Sequence, residues 1–110
     1  MIRVEPLTFD EGTAIAVQIA LPKTNLLAVT TATGYIMCGA LDVSLLNTRL
    51  RNREIIAGRA VGVRTLEELL AAPLEQVTDA AAAVGWHPGI SGRTAIALLL
   101  AREKASGKTV

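Results

Sequence analysis

Between Ala14 and Leu21 large and small residues alternate: Ile15, Val17, Ile19 and Leu21 fall on one side, and Ala14, Ala16, Gln18 and Ala20 on the other. A period of two is that of an extended strand, whose successive side chains point to opposite faces. The large residues are expected to face the core. The small face is left to solvent or to a surface that packs closely. The segment Ile2 to Phe9 reads as a first strand with Val4, Leu7 and Phe9 apolar, and Pro6, which removes one ladder donor, places it at a sheet edge. Leu26 to Thr31 and Tyr35 to Gly39 read as third and fourth strands. Asp10-Glu11-Gly12, Pro22-Lys23-Thr24-Asn25 and Ala32-Thr33-Gly34 are the turns between them. Turns this short favour antiparallel pairing.

The period changes at Asp42, which reads as an N-cap. Val43, Leu46, Asn47 and Leu50 recur at helical spacing and predict a helix to about Arg53, with Arg49, Arg51 and Arg53 at its negative end. Ile55 to Val63 reads as a fifth strand, with Gly58 and Gly62 marking a bulge or a close backbone approach. Thr65-Leu66-Glu67-Glu68 is a capping box that opens a short helix. A further helix is expected from Pro73, with Leu74, Val77, Ala81 and Val84 as its apolar stripe and Gly85 as its stop. Trp86-His87-Pro88-Gly89 is a turn, with Pro88-Gly89 suited to the middle of type II. Ser91 caps a last helix whose stripe includes Ile96, Leu99 and Leu100, and residues 105–110 read as a frayed tail. The order predicts one α+β domain over residues 1–110. It has a mostly antiparallel sheet of about five strands and three to four helices, strand-rich in its first half and helical in its second. The unit from Tyr35 to Val63 reads as a parallel crossover.

Composition narrows the picture. Of 110 residues 51% are hydrophobic but only 3% aromatic, so the core must be built from Leu, Ile, Val and Ala. A small aliphatic chain of this kind is expected to self-associate as a homo-oligomer. The net charge is +1 with both signs dispersed, which does not fit a nucleic-acid partner. No apolar run is long enough to span a membrane. One cysteine cannot form an internal disulfide, and the acidic N-terminus is not a signal peptide, so a cytoplasmic location is expected.

Five stretches resemble the YunC-like family of small bacterial proteins, a family of unknown function. They are Leu21 to Asn25, Gly34 to Val43, Gly58 to Thr65, Ala72 to Leu74 and Gly89 to Arg93. The resemblance implies a small α/β-type domain and brings no activity, cofactor or catalytic residue with it.

The candidate chemistry rests on a few side chains. Cys38, at a strand end, is the candidate nucleophile, provided a helix N-terminus or a cation lowers its pKa. The simpler reading is a small buried hydrophobe, because Cys38 shares its face with Ile36 and Ala40. His87, the sole histidine, falls in a turn and reads as solvated. One Cys and one His do not complete a zinc site, so no metal or cofactor is expected. Arg59 and Arg64 flank the two-glycine segment, and Ser91-Gly92-Arg93 opens a helix. Free N–H groups beside arginines suit a small anionic ligand, and Lys23, Thr24 and Asn25 form a polar loop that would join such a site. The leading expectation is therefore a binding module for a small anion or a protein partner. The alternatives are an enzyme using Cys38 on an acidic substrate, and a structural homo-oligomer subunit.

Overall fold

The computed structural model describes residues 1–39 and 53–107. Six strands form one sheet in sequence order: β1 (Ile2–Phe9), β2 (Gly12–Leu21), β3 (Thr24–Thr30), β4 (Gly34–Met37), β5 (Ile56–Arg59) and β6 (Gln76–Val77). Every neighbouring pair is antiparallel except β4 and β5, which run parallel. Three helices follow in the second half: α1 (Leu66–Ala71), α2 (Asp79–Ala83) and α3 (Gly92–Ser106). The fold is α+β as expected, with six strands among the described residues where about five were expected. β1 is the edge strand that Pro6 demands. The helix expected from Asp42 lies outside the described residues except for its last position, Arg53.

The face of the sheet that meets the helices is the reverse of the one expected. Ala14 and Ala16 are fully buried, whereas Ile15, Val17 and Ile19 are only half-buried. The reason is the approach of α3, whose Leu100 lies 3.6 Å from where a Cβ on Gly12 would stand. A helix can lie that close only on small side chains. Ala95, Ile96, Leu99 and Leu100 of α3 then pack with Leu27, Val29 and Ile36 of the sheet into one aliphatic core around Trp86. Gly92 serves the same closeness: a Cβ there would stand 2.5 Å from the Leu69 carbonyl and 2.8 Å from Ile36. Trp86 satisfies its one polar atom by donating from Nε1 to the Ala95 carbonyl at 3.0 Å.

Local signals set the helix ends. Thr65 and Glu68 form the capping box, with Thr65 Oγ1 accepting from the Glu68 N–H at 3.0 Å and Glu68 Oε1 accepting from the Thr65 N–H at 3.2 Å. The turn at 87–90 closes through the Ile90 N–H on the His87 carbonyl at 3.1 Å, with Gly89 at φ 96°. α3 continues to Ser106 and is stopped by Gly107 in the left-handed region, so residues 105 and 106, expected in a frayed tail, are helical, and residues 108–110 of that expectation lie outside the described residues. The strand expected over residues 55–63 is also shorter, only Ile56–Arg59, and its continuation turns at Gly62 with φ 74°.

No helix starts at Pro73. Residues 76–77 pair with β5 instead, and Thr78 caps the helix that follows. The physical reason is Thr78 itself, which is 2% exposed. Its hydroxyl donates to the Ile55 carbonyl at 2.6 Å and accepts from the N–H groups of Ala57 and Ala81, both at 3.2 Å. One side chain thus ties β5 to the first turn of α2. At the same end of the neighbouring strand β4, Glu103 of α3 plays a similar part. Its Oε2 accepts from the Thr31 hydroxyl at 2.5 Å, from the Thr33 N–H at 3.0 Å and from the Thr33 hydroxyl, and so holds the helix to the β3–β4 turn.

Thr78→Val keeps the shape and removes the hydroxyl, leaving one buried carbonyl and two N–H groups without that partner. Unfolding by urea is expected to show a loss of about 2–4 kcal/mol, more than a helix cap alone contributes. A loss under about 1 kcal/mol would mean that Thr78 is only a cap.

Candidate functional site

The β2–β3 hairpin turns through Pro22 and Lys23, since Leu21 already pairs with Thr24. Proline fixes its own φ for the first central position, and Lys23 takes the second with φ 64°. That conformation costs an L-residue about 1–2 kcal/mol. Glycine would avoid the cost, yet lysine stands there, its side chain exposed at the end of the sheet.

The segment after β5 reaches the same place. Ala60 still donates to the Met37 carbonyl at 3.0 Å, and the chain then turns at Gly62 towards α1. Val63 and Arg64 consequently come to rest beside the hairpin. Together Leu21, Lys23, Thr24, Asn25, Val63 and Arg64 line a cleft of about 540 Å³. Its charged lining is two cations with no carboxylate. The backbone N–H of Arg64 is engaged, donating to Glu68 Oε1 at 2.7 Å, but neither Lys23 nor Arg64 has an ion-pair partner among the described residues.

Cys38 stands just behind this cleft. Its Sγ lies 3.9 Å from the Asn25 carbonyl and accepts from the Leu27 N–H at 3.5 Å. It is 7% exposed and belongs to the aliphatic core. Cys38 does not line the cleft, and His87 faces solvent with Nδ1 3.0 Å from the Pro88 carbonyl, so no base stands at the thiol among the described residues. No group of three His, Cys, Asp or Glu side chains is placed to hold a metal ion among the described residues. No helix among them is long and apolar enough to cross a membrane.

The sequence-derived residues divide into two sets. Lys23, Asn25 and Arg64 share the cleft, although Arg64 is distant from the other two in sequence. Arg59 lies outside it and is bound to Glu75, with Nε and Nη2 donating to Oε1 at 3.0 and 2.6 Å. Ser91, Gly92 and Arg93 also lie outside the cleft, and each has other work. Ser91 Oγ accepts from the Thr94 N–H at 3.2 Å, and the Gly92 N–H donates to the Ala72 carbonyl at 3.1 Å. The Arg93 guanidinium carbon sits 5.6 Å from the centre of the Phe9 ring, a cation–π distance. Two lining residues were not read from the sequence as part of a site: Leu21 and Val63, each taken as the end of a strand.

Glu103 was missed altogether. The signal was present in the spacing: from Ile96, Leu99 and Leu100 the next position on the buried face of the helix is 103. A carboxylate on an apolar stripe marks a buried polar contact.

Comparisons with known proteins agree with one another. The family model described as a domain of unknown function, DUF1805, matches residues 37–99. The uncharacterized protein YunC of Bacillus subtilis (strain 168) is 54% identical over 96 residues, 87% of this chain and 95% of that protein. The crystal structure of a protein of unknown function, TA1206 from Thermoplasma acidophilum, superposes with a TM-score of 0.78 at 28% identity, covering 87% of this chain and 90% of that one.

Proposed function

The chain belongs to the DUF1805 family, the family of YunC, and on that premise we propose that it is a small binding module that takes a small anion in the cleft of Lys23, Asn25 and Arg64. One observation carries the reading: two cations from distant parts of the chain line one concavity that contains no acid. Like charges brought together repel, so the arrangement is most stable when an anion lies between them. Arg64 offers a planar fork for a carboxylate or phosphate, and Lys23 a point charge. The Thr24 hydroxyl and the Asn25 amide add hydrogen bonds that are less sensitive to salt. The strained backbone of Lys23 supports the same reading, since such residues cluster at binding sites. The reading places the protein in the cytoplasm, where its single thiol stays reduced.

With inorganic phosphate or citrate at constant ionic strength, the melting temperature is expected to rise saturably. Arg64→Ala and Lys23→Gly are expected to weaken that binding by about ten-fold or more. Lys23→Gly also relieves the positive φ, so the ligand-free variant is expected to be at least as stable as the parent. Equal stabilisation of parent and both variants would refute the site.

The enzyme alternative finds less support, because the thiol is buried and its hydrogen bonds go to backbone groups. Cys38→Ser is expected to cost about 1–2 kcal/mol in stability, as a hydroxyl replaces a sulfur in an apolar site. Phosphate affinity should stay within about two-fold of the parent, below the effect of losing a charge-assisted contact.

A second reading, association of two copies, is favoured by the open face of the sheet. Ile2, Val4 and Leu21 are 70%, 63% and 44% exposed, and the register sets Ile2 beside Ile19 and Val4 beside Val17 on that face. On neighbouring strands about 4.8 Å apart these residues make an apolar patch that a second copy, carrying the same residues, matches by two-fold symmetry. Light scattering at micromolar concentration is expected to give the dimer mass, and Val4→Lys the monomer mass. A parent that is monomeric at that concentration removes this reading.

A further inference from the structure

The outer edge of β1 carries a pattern of its own. Among the described residues β1 ends the sheet, with no strand beyond it. The Ala20 N–H donates to the Met1 carbonyl at 2.8 Å, and Ile2 stands opposite Ile19. Bonded and non-bonded pairs alternate along an antiparallel ladder, so the backbones of Met1, Arg3, Glu5, Leu7 and Phe9 bond to β2. Those of Ile2, Val4, Pro6 and Thr8 point outward. Pro6 therefore removes no bond from the sheet, and it takes a single donor from the outer edge. The side chains divide in the same way. Leu7 and Phe9 pack against the core, which puts Arg3 and Glu5 on the helix side of the strand, whereas Ile2 and Val4 belong to the open face. Arg3 Nη2 donates to Glu5 Oε2 at 3.3 Å, and both side chains reach solvent.

We propose that two copies of this chain join through these edges, β1 against β1 in antiparallel pairing about a two-fold axis at Val4, so that the two sheets run on into one another. This pairing rests on the reading above that two copies associate, and it fixes the surface on which they meet. Charge complementarity selects the register. With Val4 against the partner's Val4, Arg3 stands opposite the partner's Glu5, and Glu5 opposite the partner's Arg3. Both fall at non-hydrogen-bonded positions, where opposing side chains are closest. Sliding one strand by two residues is the smallest slip that keeps the outward groups facing each other. In one direction it sets Arg3 against the partner's Arg3, in the other Glu5 against the partner's Glu5, and like charges directly opposite are destabilising. The backbone agrees. Each Val4 exchanges both its bonds with the partner's Val4, and each Ile2 N–H meets the partner's Pro6 carbonyl. The donor that Pro6 lacks falls at the end of the paired segment, where water reaches the unmatched carbonyl. A register centred on Pro6 would lack both central donors. On the open face Val4 lies beside the partner's Val4, so the apolar patches of the two copies become one. Neither copy keeps a free β1, and association through this edge stops at two.

The test uses the whole chain, with mass read by sedimentation equilibrium. The parent is expected to be a dimer at micromolar concentration. Arg3→Glu and Glu5→Arg, each alone, set like charges across the axis and are expected to raise the dimer dissociation constant by about ten-fold or more. An equimolar mixture of the two variants restores opposite charges at both positions and is expected to give the mixed dimer at close to the parent's affinity. Oxidative cross-linking checks the register. Arg3→Cys mixed with Glu5→Cys is expected to form the mixed disulfide-linked dimer, because directly opposed residues stand within bridging distance. Either cysteine variant alone is expected not to link, since its two copies are offset along the strands with their Cα atoms about 8 Å apart. Stacking of the open faces would leave Arg3 and Glu5 on the far sides of the sheets and move none of these readouts. A parent dimer whose affinity both charge variants leave unchanged, or one that gives no mixed cross-link, overturns the edge pairing and leaves the association of two copies standing. A monomeric parent overturns both.

Discussion

Helix α3 lies against the side of β2 that carries Ala14 and Ala16, and the rest of the structure follows from that closeness. A core with a single tryptophan and few other rings fills space with aliphatic chains, whose contacts are individually weak and short in range. Such a core reaches interior density only when the layers approach closely, which small residues permit on both sides: alanines on the strand, and Gly92 and Ala95 on the helix. The larger residues of β2 are displaced to the opposite face. One packing decision therefore produces both a tight core and an open apolar surface.

The two ends of β2 use the same construction with opposite charge. At one end a hairpin turn and the segment after β5 bring a lysine and an arginine together. At the other the β1–β2 turn and the end of α3 bring Asp10, Glu11 and Glu103 together. Each group forms where strand pairing stops. The sheet keeps the two sets of charges well apart, and screening at physiological salt leaves each to act on its own surroundings.

What could be read from the sequence was what local chemistry decides. The four leading strands, the edge marked by Pro6, the Thr65–Glu68 capping box and the turn at Pro88-Gly89 each depend on neighbours a few residues away. The burial of Ala14 rather than Ile15 does not, because alternation defines two faces without saying on which the helices will lie. Leu74, Val77, Ala81 and Val84 fit a helical stripe, but pairing with β5 takes Val77 into the sheet and leaves Thr78 to start the helix. The cleft was half legible. Lys23 and Asn25 announced a polar turn. That Arg64 and not Arg59 would join them was settled by Glu75, which holds Arg59 elsewhere. Glu103 was legible by its position on an apolar stripe, and its meaning came only with the two threonines that meet it.

The parallel pairing of β4 with β5 has a consequence for how the chain reaches its fold. β1 to β4 join through turns of a few residues and can zip in sequence, whereas β5 must return across residues 38–55. Closing a loop of that length instead of a two-residue turn adds on the order of 2 kcal/mol of chain entropy, before any contact repays it. The repayment is late, because β5 is only four residues long and is held on its other side by β6 and by the Thr78 hydroxyl, both from further along the chain. Chain entropy thus favours two steps, an early meander and a later docking. The cationic cleft, which takes one wall from each, exists only after the second.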